Sequence, residues 1–197
     1  MTATTRLLTG RDGQSFTFDP GAFCLELLLT GGPGGYAYWE ILHTPDDLGR
    51  WLTESRLAAI APLGEPRVSP AELRAVKAFR DTMLTVALAL AHGEEPAPEA
   101  LETINDAAGP APRPRIDPAT GRRAWAGPVT GTQILGAAAN EAVDLLTGPH
   151  RDRVRECAAS NCLLLFVDTS RPGRRRWCSM ERCGNRNKVN AYRTRQT

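Results

Sequence analysis

Residues 157–162, CAASNC, and residues 178–183, CSMERC, decide how this chain is read. Each stretch begins and ends on a cysteine with four residues between, and fifteen residues separate the two stretches. Zn²⁺ is a closed-shell ion that favours four ligands in a tetrahedron, and four cysteines are a standard structural set. Two short cysteine loops joined by about fifteen residues let each loop supply two thiolates, with a small hairpin between them. Four residues between partners is the wide end of the range, so disulfides and unrelated buried thiols are the competing readings. The disulfide reading fails on context. The opening stretch MTATTRLLTGRDGQSF is polar and mixed, unlike a signal peptide. No run approaches the roughly 20 apolar residues of a membrane span. A cytoplasmic location is expected, where thiols stay reduced and clustered cysteines more often bind metal. The fifth cysteine, Cys24 in GAFCLELLL, reads as a buried apolar residue.

Charge is distributed unevenly about these loops. Residues 151–197 hold twelve Lys and Arg against four Asp and Glu, a net of +8, whereas residues 1–150 hold twelve against eighteen, a net of −6. Four thiolates on one Zn²⁺ would lower the first figure by two. Such asymmetry points to nucleic acid or another polyanion as partner of the basic part, or to attraction between the two parts. At 197 residues the chain suffices for one core plus a small module.

Upstream of the cysteines the pattern is helical. The run FDPGAFCLELLLT cannot be assigned to helix or strand by periodicity, and GGPGG at 31–35 is a loop with no phosphate-binding lysine after it. Thr44-Pro45-Asp46-Asp47 starts a helix expected to carry Leu48, Trp51, Leu52 and Leu57. Ser69-Pro70-Ala71-Glu72 is a capping box before a stripe of Leu73, Val76, Phe79, Met83, Val86 and Leu90. A short helix is expected over 97–107, a hairpin with Ile116 and Trp125 flanking Pro-Ala-Thr-Gly, and a helix over 130–147 closed by Gly148-Pro149. The expected fold is mainly α with short β-hairpins: a helical domain over 1–148 and a small Cys₄ zinc module of treble-clef type over 149–197.

Within the module, LLLFVD at 163–168 reads as a strand, Thr169–Gly173 as a turn, and Arg174-Arg175-Arg176-Trp177 as the return towards Cys178. Gly184 is expected to ease the backbone around the metal. Asn185 is expected to cap a helix over Asn187–Arg195, with Val189 and Tyr192 packing back on the hairpin. The candidate nucleic-acid contacts are Arg174, Arg175 and Arg176 on the hairpin edge, then Asn185, Arg186, Lys188, Asn190 and Arg193 on the helix. Arg and Lys bind phosphates, while Arg and Asn read guanine and adenine edges. The competing reading pairs some of these arginines with Asp168 or Glu181 to hold the module together.

Arg155-Glu156-Cys157, Cys162, Phe166-Val167-Asp168-Thr169-Ser170, Arg175-Arg176-Trp177-Cys178-Ser179-Met180 and Cys183-Gly184-Asn185-Arg186 resemble the CGNR zinc-finger family over about residues 153–195. The preceding part resembles the ABATE domain that usually accompanies this finger. That domain commonly shows Leu-Asp-Phe-Val-Asn-Thr near its start, where this chain has Leu25-Glu26-Leu27-Leu28-Leu29-Thr30, with Glu for Asp and no Asn. The resemblance implies a bacterial transcription regulator responding to stress, one structural zinc on Cys157, Cys162, Cys178 and Cys183, and DNA as the finger's partner.

Two functions from different classes follow. The first is a regulator that grips DNA through the zinc module while the helical domain senses a small molecule or protein effector. A homodimer would double the contacts and read paired half-sites. The second is a protein-interaction module whose basic finger docks on an acidic surface. An enzyme is not expected: His43, His92 and His150 lie far apart in sequence, and none sits in a motif with a nucleophile or metal partner.

Overall fold

A computed structural model of the chain describes residues 5–194, with side chains through Val189. The chain opens with an antiparallel hairpin, β1 (Arg6–Thr9) and β2 (Ser15–Phe18), and a helical turn α1 (Phe23–Glu26). Five helices follow: α2 (Pro45–Leu52), α3 (Arg56–Ile60), α4 (Pro70–Ala91), α5 (Pro98–Ala107) and, after the hairpin β3 (Pro114–Ile116) and β4 (Arg123–Trp125), α6 (Gly131–Thr147). A third hairpin, β5 (Val154–Glu156) and β6 (Leu165–Val167), precedes the final helix α7 (Asn185–Thr194). The molecule is mainly α with short hairpins, as its sequence pattern predicts.

Capping chemistry sets the helix starts. Thr44, Ser69 and Thr130 each accept the backbone N–H three residues on, and Asp47, Glu72 and Gln133 return the bond. The stripe from Leu73 to Leu90 on α4 is buried and packs against α5 and α6. The Thr44 helix is shorter than expected. It ends at Leu52, where Ser55 Oγ donates to the Leu52 carbonyl and accepts from Ala58 N–H, so Leu57 belongs to the separate helix α3.

The unreadable segment after residue 15 resolves into β2, α1 and a 3₁₀ turn over Leu27–Thr30, followed by a second such turn over Gly34–Trp39. Cys24 is fully buried, and its N–H donates to Glu141 Oε2 at 2.8 Å. Glu26 is buried too and accepts from Arg6 Nε at 2.5 Å and from the Arg56 N–H. Burial pushes the Glu26 carboxyl above its ordinary range, with the Arg6 guanidinium opposing.

Two hydrophobic cores share the β5–β6 hairpin. Strand alternation sends Val154, Leu165 and Val167 into the large helical core. Phe166, between them, points the other way, into a small core with Phe16, Phe18 and the four cysteines. The site therefore sits on the far face of a hairpin whose near face is welded to the helices. The strand register differs from the sequence expectation: β6 pairs upstream with β5, in the order Val154↔Val167 to Glu156↔Leu165, rather than with Arg174–Trp177. The first cysteine pair thus lies in the connection of one hairpin. The Arg174–Trp177 segment makes a single backbone bond to that connection, Ala158 N–H to the Arg176 carbonyl at 2.9 Å.

Candidate metal centre and basic surface

The first cysteine loop is closed by backbone bonds. Cys157 N–H donates to the Leu164 carbonyl at 2.9 Å, and Cys162 N–H to the Ala159 carbonyl at 3.0 Å. Cys178 precedes and Cys183 lies within a wide helical turn, Met180–Gly184, in which Gly184 N–H reaches back five residues to the Ser179 carbonyl at 3.0 Å. This turn runs straight into α7, placing Cys183 at the entrance of the last helix. Gly184 lets Met180 and Trp177 pack close: a Cβ would stand 2.8 Å from Met180 Sδ and 3.3 Å from Trp177 Cδ1, and the exposed Met180 end would have to give way.

All four Sγ atoms lie within 4.8 Å of one another, and all four residues are buried. Cys162 Sγ and Cys178 Sγ are 3.7 Å apart. A tetrahedron with metal–sulfur bonds of about 2.3 Å has an edge of about 3.8 Å, so this separation fits one Zn²⁺. Four thiolates fill the coordination sphere and make the centre structural. Without a cation the thiols compete for protons. Hydrogen bonds from Cys162 and Cys178 pull Cys157 down, and the same contacts push Cys162 and Cys178 up. A divalent metal removes the conflict by stabilising every sulfur as thiolate. Cys178 N–H, 3.3 Å from Cys157 Sγ, is already aimed at one of them.

The aromatic bed of this centre comes from both ends of the chain. Phe18 meets Phe166 edge to face, with centroids 6.5 Å apart. Arg182 lies 4.7 Å from the Phe16 centroid, and its Nη2 reaches Asp12 Oδ1 at 3.2 Å. Val167 N–H donates to the Pro20 carbonyl at 2.9 Å. The β1–β2 hairpin is thus built into the cysteine core. Sequence reasoning did not attach Asp12, Phe16 and Phe18 to the module. A signal was present: Asp12-Gly13 between RLLT and the alternating SFTF reads as a hairpin turn.

The candidate basic residues divide by orientation. Arg174, Arg176, Asn185 and Lys188 are exposed. Arg186 is half-buried, with Nη1 3.5 Å from Asp12 Oδ2 and Nη2 4.0 Å from Cys183 Sγ. Arg175 faces inward. Its guanidinium lies 4.0 Å over Phe166 and donates to the carbonyls of Trp177, Cys178 and Asp19, while its N–H donates to Asp168. It ties the two cysteine loops to the N-terminal hairpin. Asn185 has helical dihedrals and stands inside the helical run, so it does not cap α7; its side chain sits 3.5 Å from the Glu181 carbonyl. Val189 is 48% exposed and does not pack back on the hairpin. Asn190, Tyr192 and Arg193 lie outside the residues whose side chains are described. Asp168 is fully buried, held by Ser170 and by the Arg175 backbone.

No curated protein matches the chain. A CGNR zinc-finger model matches residues 153–196, and its span contains all four cysteines. The model of the ABATE domain, described as "Putative stress-induced transcription regulator", matches residues 21–149. The β1–β2 hairpin precedes both matches, although the cysteine core depends on its phenylalanines. With the larger match spanning well over half of its length, the chain belongs to the ABATE family and carries a CGNR zinc finger.

Proposed function

We propose that this chain is a DNA-binding regulator of a bacterial cytoplasm, in which a structural Cys₄ centre stiffens a basic surface and the helical part senses a ligand or protein effector. The observation behind this reading is the charge separation, with a net of +8 over residues 151–197, together with its outward-facing share. Arg174, Arg176 and Lys188 are exposed and enter no ion pair among the described residues. Cations of this kind meet phosphates, and the exposed amide of Asn185 suits an adenine edge. A route from helices to finger also exists. α4 packs against β5, and His92 Nε2, just past the end of α4, lies 2.8 Å from Glu156 Oε2. The proposal includes no catalytic step.

The test is a titration of zinc-loaded protein against labelled duplex DNA over a salt series. Binding should weaken linearly in log–log form, and the Arg174→Ala/Arg176→Ala/Lys188→Ala variant should flatten the slope by roughly 0.9 for each phosphate no longer neutralised. An unchanged slope, or no binding, overturns the reading.

A second reading has its own observation. Asp12 pairs with Arg182 and Arg186, and Glu95 with Arg151, so part of the basic charge already meets acids of the same chain. A finger serving protein contacts would bind heparin as well as it binds DNA of any sequence.

A further inference from the structure

Tyr38 and Trp39 end the 3₁₀ turn Gly34–Trp39, and Tyr38 is 64% exposed. Their rings meet edge to face with centroids 4.8 Å apart. The guanidinium of Arg11, in the β1–β2 turn, lies 4.1 Å over Tyr38 and 5.8 Å from the Trp39 centroid. Neither ring belongs to the helical core or to the cysteine core. Trp39 is half-buried beneath Tyr38, so one ring stands open to solvent on a second that is partly covered, outside either core.

The turn that presents them is held fixed. Tyr36 Oη donates to the Leu163 carbonyl, 2.9 Å away and next to Cys162, while Ile41 N–H donates to Thr30 at 3.0 Å. Arg11 is followed by Asp12, whose carboxylate is occupied by Arg182 and Arg186 at the entrance of α7. One chain step thus joins the aromatic cluster to the basic end of the last helix, and Tyr36 joins it to the first cysteine loop.

We propose that Arg11, Tyr38 and Trp39 form a stacking face for unpaired nucleobases, which extends the phosphate contacts of the finger. The inference rests on the nucleic-acid reading above. A base offers an apolar π face that stacks on Tyr and Trp and on a guanidinium plane, and a strand supplies phosphates for the neighbouring cations. An intact duplex keeps those faces inside its stack. A protein partner would use the same residue types, but Arg11, exposed and in no ion pair among the described residues, favours a polyanion.

Full-length zinc-loaded protein is titrated with a labelled oligothymidine strand and with a duplex, following anisotropy and tryptophan emission. The wild type should bind the strand, and Tyr38→Ala/Trp39→Ala should weaken that binding roughly tenfold or more, with duplex affinity unchanged. Tyr38→Phe/Trp39→Phe should keep strand binding yet lose the emission quenching that stacking on Trp39 produces. Strand binding that survives the alanine pair overturns the stacking face and leaves duplex recognition standing. If the alanine pair abolishes self-association in sedimentation while strand binding holds, the face is an interface between copies and the proposal fails. Binding to neither strand nor duplex would overturn the nucleic-acid reading as well.

Discussion

Asp12 and Arg182, 170 residues apart in the chain, meet at 3.2 Å, so the first hairpin is latched onto the turn that carries the last cysteine. The Gln14 N–H and the Arg182 guanidinium hold the Asp12 carboxyl below its ordinary range. The same carboxylate reaches Arg186. Arg182 is buried against Phe16, so Asp12→Asn should release chiefly the half-exposed Arg186 at the entrance of α7 and tighten binding to DNA or heparin at low salt. The gain should vanish at high salt, where such exposed charges are screened. A titration of the variant beside the wild type over a salt series reads this directly. Equal affinity at low salt would show that Asp12 does not restrain the basic surface.

Phe18 lies beneath the metal centre although it enters the chain long before the cysteines. It is 1% exposed, and its ring meets Phe166. Phe18→Ala should cost about 3–5 kcal/mol through lost transfer energy and the cavity left behind. The loss should fall on the cysteine core, so a chelator should strip zinc faster while far-UV dichroism of the helices persists. Unchanged metal release would mean that the hairpin only covers the site.

The elements read correctly from sequence are those whose determinants lie within a few residues. The Ser69 box and the Leu73–Leu90 stripe announce α4, and Gly148-Pro149 marks the close of α6. The Cys₄ set was legible for the same reason, because two loops at fixed spacing declare their chemistry locally. Pairing partners were not local. LLLFVD shows strand character, but nothing within it selects Val154–Glu156 over Arg174–Trp177 as its neighbour. Arg175 looks like its exposed neighbours Arg174 and Arg176. Only the fold shows that Phe166 and three carbonyls surround its guanidinium. Phe16 and Phe18 carried a visible period of two, but their burial depends on a surface formed at the other end of the chain.

Two glycines should respond differently to alanine. At Gly136 on α6, a Cβ would stand 2.5 Å from the Pro110 carbonyl oxygen and 2.9 Å from that of Gly109, both backbone atoms. Gly136→Ala must move the chain and should cost about 1–3 kcal/mol, outweighing the helix propensity gained. At Gly184 the nearest atoms are the far end of the exposed Met180 side chain. Gly184→Ala should cost less, about 1 kcal/mol. Urea unfolding midpoints of the two variants check the order, and a reversed order would contradict it.

Glu72 joins two helix starts. It accepts from the Ser69 backbone and from the Thr132 N–H and hydroxyl, and these bonds, led by Ser69, hold its carboxyl down at about 2. A depressed folded-state value means that the contribution is complete above the unfolded value of about 4.3 and fades as pH falls towards 2. Glu72→Gln should cost about 1 kcal/mol at neutral pH, the scale of a lost cap, and much less near pH 2. Stability curves of variant and wild type should converge on acidification; a gap independent of pH would reject the assignment.

The measurement closest to the centre of this account is zinc stoichiometry on tag-free protein, taken beside Cys178→Ser. The four sulfurs within 4.8 Å predict one zinc per wild-type chain. In the variant, zinc should be lost and the cysteine core melted, with the α4–α6 helices intact. Wild-type protein without zinc, or a variant that keeps a full equivalent, would contradict the Cys₄ centre and the basic surface built around it.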